Sequence, residues 1–350
     1  MTMLLLLLVA MVYTLMLSHA SHNLKTYVSI VSSETVECTI QTLYHPSPIE
    51  QFWVDNVDNL ADYTRFWAKG CAKMQDYKTD VLGWLSYHNE REEWTREKDL
   101  GLVSSGRPFN KEILSYFTVS ETCGDITSTT DVPIEPLLSF LRHPLYICFE
   151  WTQQLDKGYM FPMFQHEARP APQSVARGPR KFLFDLGAST YYKGLGGASQ
   201  QWFIETYRAR GIEFDRILAW EAKPTPVEEI FDVPADVMAT LSYFNVPART
   251  GLDDPGNPLV ILKRIARPDD LVVLKLDIDN DRVELSFVQQ ILDDPEISGR
   301  VDELYFEHHV SMHPMEAHGW RRGHKLMNIT QSYQLFTSLR NLGIRAHSWV

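Results

Sequence analysis

No block of lysine and arginine interrupts this chain, and acidic residues outnumber basic ones by 45 to 33, for a formal net charge of -12. The electrostatic footprint of a nucleic-acid binder is missing, so no nucleic-acid partner is expected. Cysteine is scarce: Cys38, Cys71, Cys123 and Cys148 make up the whole set, and none has the C-x-x-C spacing of a metal site. In an oxidising lumen they would form two disulfides with all three connectivities open; four buried free thiols is the alternative. Long apolar runs are missing too. The uncharged stretch 3–17 is too short for a comfortable membrane span, and Ser18-His19-Ala20 offers small residues where a signal peptidase reads. A cleaved secretory signal over 1–20 is the expectation, which places the chain in the secretory pathway. No Lys or Arg precedes the apolar run, so an uncleaved signal anchor and an organelle-targeting leader stay open. Membrane contact is expected only through such an anchor. Asn328-Ile329-Thr330 is a glycosylation sequon.

The chain has 350 residues, 44% of them hydrophobic, enough for one large domain or a domain with an extension of roughly 150 residues. The stretch 21–48 is mixed and polar and reads as a lead-in of low information. Helical spacing begins over 51–74, where Phe52, Leu60, Tyr63, Phe66, Trp67 and Met74 recur, and continues over 80–98 with a charge run at 90–98 that suits a solvated helix face. From 118 to 148 the sequence becomes turn-rich and reads as a short helix and an extended strand. A Pro- and Arg-rich link over 166–180 sets a boundary near Ala171, giving an N-terminal extension over 21–170, mixed but mainly helical, and a second domain over 171–350. No internal repeat is visible.

In the second domain, strands and helices alternate. Strands are predicted over 181–186, 216–221, 241–246, 271–277, 303–308 and 344–349, and helices over 199–210, 225–231, 258–265, 283–293 and 328–342. Such alternation predicts an α/β fold, a doubly wound and mostly parallel sheet with helices on both faces. Right-handed crossovers then collect the C-terminal strand ends on one edge, where ligands of open α/β sheets bind. Those ends read Asp185, Glu221, Asp277 with Asp279, and Glu307 with His308. The first run, Lys181 to Ser189, is apolar up to Asp185-Leu186-Gly187, and Gly187 would let the backbone turn sharply and approach a ligand.

Phe184-Asp185-Leu186-Gly187-Ala188-Ser189 resembles the first motif of class I S-adenosylmethionine-dependent methyltransferases, and Ala219-Trp220-Glu221-Ala222 resembles the acidic end of their second strand. Leu274-Lys275-Leu276-Asp277-Ile278-Asp279 and Leu304-Tyr305-Phe306-Glu307-His308 look like the fourth and fifth strands of the FkbM-like family. The resemblance implies a Rossmann-like methyltransferase fold of six or seven strands over the C-terminal half. It also implies that S-adenosyl-L-methionine lies with its ribose hydroxyls on Glu221 and its methionine moiety along Asp185, Gly187 and Ala188, with Asn245 and Val246 flanking the adenine. Ser189 stands where the family's second glycine is usual, and a longer loop with Gly194, Gly196 and Gly197 follows.

Asp277, Asp279, Glu307 and His308 form a candidate divalent-metal set that would lower the pKa of a substrate hydroxyl; Asp277, His308 and His309 are the candidate catalytic residues, with His308 or His309 as the general base if no metal is bound. His313 and His318 join the same cluster, while Met312 and Met315 are expected to pack. The expected activity is methyl transfer to a hydroxyl of a small molecule or glycan. Two alternatives stand beside it. Asp277-Ile278-Asp279 is also the D-x-D of a metal-dependent glycosyltransferase using a sugar nucleotide, and a catalytically silent secreted binding domain would keep the same fold.

Overall fold

The structure, a computed structural model, describes residues 23–31, 34–59, 62, 66, 68–69, 71–72, 109–142, 157–163, 178–194, 197–320 and 325–350. The expected signal segment, the helix over 80–98 and the boundary near residue 171 lie outside the described residues.

Six strands of the C-terminal half form one parallel sheet: β5 (Lys181–Leu186), β6 (Arg216–Trp220), β7 (Leu241–Phe244), β8 (Leu271–Leu276), β9 (Glu303–Phe306) and β12 (Arg345–Ser348). Their order is β12-β9-β8-β5-β6-β7, and every neighbouring pair is parallel. The chain therefore starts in the middle, winds outward through β6 and β7, then returns to the other side of β5 and winds outward again. β8 is buried along its whole length and β5 along all but its first residue, as their continuous apolar sequences predict for central strands. Helices α2 (Ser199–Arg208), α3 (Pro258–Ile265), α4 (Asp281–Asp293) and α5 (Ile329–Asn341) connect the strands, with two single turns, Val227–Ile230 and Ala235–Met238, between β6 and β7. Before β12, a short parallel pair joins β10 (Val310–Ser311) to β11 (Met327–Asn328).

The N-terminal part departs from the sequence expectation. The supposed lead-in is instead β1 (Asn23–Val31) and β2 (Glu34–His45), and β3 (Ser115–Cys123) and β4 (Ile126–Ile134) complete a four-stranded antiparallel sheet in the order β1-β2-β3-β4. Along β2 the buried Cys38, Ile40 and Tyr44 share one face, the period-two pattern of a half-buried strand. Cys38 and Cys123 are register partners in β2 and β3 and form a disulfide. Cys71 is also disulfide-bonded. Helix α1 (Pro48–Asp55) is capped by Ser47, whose side chain accepts from the Glu50 N–H, and residues 57–59, 62, 68–69 and 71–72 are helical too. The short helix expected after β4 does not form over 135–138. The Leu137 N–H donates instead to the buried Glu50 carboxylate at 2.8 Å.

Buried charges join this sheet to the parallel one. Arg340 on α5 is 0% exposed and donates to Tyr44 Oη (2.9 Å) and Glu50 Oε2 (3.1 Å). His347 on β12 lies between Glu135 Oε1 (2.8 Å) and Glu303 Oε1 (3.3 Å), and Arg345 Nε donates to Glu303 Oε1 at 2.8 Å.

Candidate functional site

Every predicted strand but the first, which matches, overruns the ladder by one or two residues at its C-terminal end, and the overrun defines the rim. Each residue just past a strand still donates its N–H to the neighbouring strand: Gly187 to Trp220 O (2.9 Å), Glu221 to Phe244 O (3.1 Å), Asp277 to Leu186 O (3.1 Å) and Glu307 to Leu276 O (3.1 Å). The backbone is fixed while the side chain is already polar, which sets three carboxylates at defined positions along one edge. Gly187 has φ +83°, and a Cβ there would lie 1.6 Å from the Asp277 carbonyl oxygen. The close approach that this glycine permits is thus to the end of β8.

Beneath the rim sits Lys275, 1% exposed. Its Nζ donates to Gly187 O at 2.7 Å and lies 3.4 Å from Asp185 Oδ1 and 3.2 Å from Asp277 Oδ2. Burial works against the ammonium, but the charges of Asp277 and Asp185 outweigh it and hold its pKa above the usual lysine range. Asp185 and Ala188 are fully buried, so the acidic residue of the first motif underpins the site from within. Lys275 escaped the sequence reading as a site residue. Its signal was there: one charged side chain inside the apolar run of β8.

On the other side of β5, Glu221 shapes the loop that follows Gly187. Its Oε2 accepts from the Ser189 N–H (3.1 Å) and its Oε1 from the Lys223 N–H (2.7 Å). Ser189 takes a left-handed φ of 49°, and Tyr243 Oη donates to its carbonyl at 2.5 Å. Asn245 clamps the stretch after β6: its Nδ2 donates to Glu221 O (2.8 Å) and Lys223 O (2.7 Å), and its Oδ1 accepts from the Thr225 N–H (2.9 Å). The side chain expected to flank an adenine is engaged with the backbone, whereas Val246 is 52% exposed.

Between β8 and β9, Asp277 Oδ2 accepts from Trp349 Nε1 at 3.2 Å. Arg142, from the N-terminal part, reaches Glu307 Oε1 at 3.3 Å, donates to Trp349 O at 2.9 Å and stacks over the Trp320 ring. Burial, only partly offset by Lys275, and the nearby Glu307 charge push the Asp277 carboxyl up. Burial acts the same way on Glu307, but His309 and Arg142 outweigh it and hold that carboxyl down.

The two adjacent histidines have different surroundings, because successive residues leaving a strand point to opposite faces. His308 turns inward, shares a hydrogen bond through Nδ1 with Ser332 Oγ (2.8 Å) and stacks on Phe306. Burial, then the charge on His309, lowers its pKa to about 3. His309 stays at the rim, with Nε2 3.3 Å from Glu307 Oε2 and 3.6 Å from Asp279 Oδ1, and Nδ1 3.7 Å from Glu284 Oε2 and 3.9 Å from Asp281 Oδ1. Burial opposes its charge, but Glu284 and Glu307 outweigh it and raise the pKa to about 9. Among the described residues, the ligand atoms that converge are those of Asp279, Glu307 and His309, and of Asp281, Glu284 and His309. Of the expected metal set of Asp277, Asp279, Glu307 and His308, Asp279 and Glu307 converge, with His309 as the third member. His308 faces away, and Asp277 is held by Lys275. His313 pairs with Glu316 at 3.5 Å, His318 lies in the same 3-10 turn, and Met312 and Met315 pack in the core.

No protein-family model matches the chain, and neither a curated protein nor a solved structure matches it.

Proposed function

We propose that the chain is an S-adenosylmethionine-dependent methyltransferase acting on a hydroxyl of a small molecule or glycan. The observation that carries the reading is the reversal of strand order at β5, with Glu221 at the end of the adjacent strand. Ligands of open α/β sheets bind outside the carboxyl ends at such a reversal. The residues fit in part. Glu221 accepts one backbone N–H on each oxygen, which leaves lone pairs on both for a ribose diol. The exposed Val246 offers an apolar flank for a base, while Asn245 and the buried Asp185 act on the cofactor only by fixing the loops around it.

The cofactor, when bound, supplies an electrophilic methyl group on a sulfonium. The chain's own contribution is to align the acceptor and take its proton. Among the three candidate catalytic residues, Asp277 suits that task. His308 is too weakly basic, and His309 is ringed by the carboxylates of Asp279, Asp281, Glu284 and Glu307. Asp277 is partly exposed, held in place by Lys275 and Trp349, and has its basicity raised by burial, as a general base working near neutrality requires. A D-x-D metal role is disfavoured at the same residue, because the Lys275 ammonium stands 3.2 Å from its carboxylate. The Cys38–Cys123 and Cys71 disulfides support passage through an oxidising compartment.

Calorimetric titration of the full chain with S-adenosylmethionine and its demethylated product tests the reading. Both are expected to bind, and Glu221→Ala abolishes binding with an unchanged far-UV spectrum. Binding of UDP-sugars with manganese, and of neither methyl-donor compound, would sink it in favour of glycosyl transfer. Folded wild-type protein that binds none of them points to a silent domain.

A further inference from the structure

We propose that His309, Glu284 and Asp281 form a divalent-cation site beside the strand-end rim. The proposal does not depend on the cofactor reading. His309 Nδ1 and Glu284 Oε2 are both buried and have no hydrogen-bond partner among the described residues; their side chains are 5% and 1% exposed. Buried polar atoms are nearly always satisfied, so two orphans facing one another call for a third party. They lie 3.7 Å apart, too far for a direct hydrogen bond. Two atoms bound to one metal at about 2.0–2.2 Å each end up roughly 3–4 Å apart, which is this spacing. Asp281 Oδ1, 3.9 Å from the same nitrogen, completes a three-donor group.

The remaining atoms of these side chains are tied down in the way ligands are. Glu284 Oε1 accepts from the Ile278 N–H at 2.7 Å, which leaves Oε2 as the inward oxygen. His309 Nε2 faces Glu307 Oε2 at 3.3 Å, and Arg142 holds Glu307 from behind. A carboxylate on one ring nitrogen fixes the tautomer and directs the lone pair of the other toward a metal. Trp320 packs edge-on to the imidazole, with ring centroids 4.9 Å apart, and restricts its rotation. Asp281 and Glu284 stand three residues apart in the first turn of α4, on one face. One imidazole and two carboxylates suit Mn2+ or Zn2+. One feature opposes binding: Lys325 Nζ lies 3.0 Å from Asp281 Oδ1, and its charge weakens the site.

The test is calorimetric titration of the chelator-treated full chain with Mn2+ and with Zn2+. One equivalent of either ion is expected to bind and to raise the melting temperature. Glu284→Gln, which keeps an oxygen for the Ile278 N–H, weakens binding at least about tenfold, and Lys325→Gln tightens it. Should Glu284→Gln fail to fold, Asp281→Asn takes its place and must weaken binding likewise. Folded wild-type protein that takes up neither ion overturns the proposal, as does an affinity unchanged by the ligand substitution. Binding of the methyl donor is read in a separate titration, so failure of one proposal does not decide the other.

Discussion

At Gly187 the ends of β5 and β8 come so close that even a methyl group meets the Asp277 carbonyl, in a backbone conformation that L side chains rarely adopt. Gly187→Ala is therefore expected to cost roughly 2–4 kcal/mol, read as a lower urea midpoint, and to displace Asp277 along with its own loop. Asp277→Asn tests the chemistry instead. Under the proposed function it lowers kcat by about 10²–10⁴ and leaves cofactor affinity nearly unchanged, because the residue belongs to the acceptor side. Equal loss of both would argue for a merely structural role. At this scale the sequence was legible where backbone and side chain carry one message. Asp185-Leu186-Gly187 announced a strand end and a tight turn, and both are there. Which side chain faces which was not legible. His308 and His309 are equivalent in composition, and only the direction in which each leaves β9 separates a buried, weakly basic ring from one surrounded by carboxylates.

Helix α5 shows how an element is bounded by its own residues. Asn328 accepts from the Gln331 N–H while the Gln331 side chain accepts from the Asn328 N–H, a reciprocal capping box. Asn328→Ala is expected to destabilise the protein by about 1 kcal/mol, measurable by chemical denaturation. The strands of the parallel sheet were readable because their apolar runs are continuous, and only their ends shifted. The antiparallel sheet was not. β2 alternates the buried Cys38 and Ile40 with Glu37, Thr39 and Gln41, and β4 is exposed over its first five residues. A half-exposed strand of this composition looks like loop until its partner strand is known, and β3 lies some seventy residues downstream in register with β2.

For the whole molecule, the contact between the two sheets sets stability. Three buried carboxylates, Glu50, Glu135 and Glu303, meet two arginines, Arg340 and Arg345, and His347. Protonated His347 balances the charge. Burial works against that proton, but Glu135 and Glu303 outweigh it and raise its pKa above the ordinary histidine value. Stability from this histidine is thus full below about pH 6.5 and is lost as pH rises through the raised value. Glu303 behaves oppositely. Burial would raise its pKa, but His347 and Arg345 lower it from 4.5 to about 2, so its contribution is full above about pH 4.5 and fades toward pH 2. Urea midpoints should therefore peak between those limits. His347→Gln lowers the peak and reduces the alkaline slope. Arg340→Met strands Glu50 and is expected to cost roughly 3–5 kcal/mol, with both sheets unfolding in a single transition. None of this pairing was visible beforehand, since its members are separated by up to 290 positions.

The bond between Cys38 and Cys123 spans a sequence separation of 85 residues. A protease that cuts anywhere inside that interval produces two pieces that cannot diffuse apart. Such a nicked chain should run as one species on a gel without reductant and as two with it. The N-terminal strands would thus stay docked on the parallel sheet after cleavage, and loss of intact chain on a reducing gel would overstate loss of the folded protein.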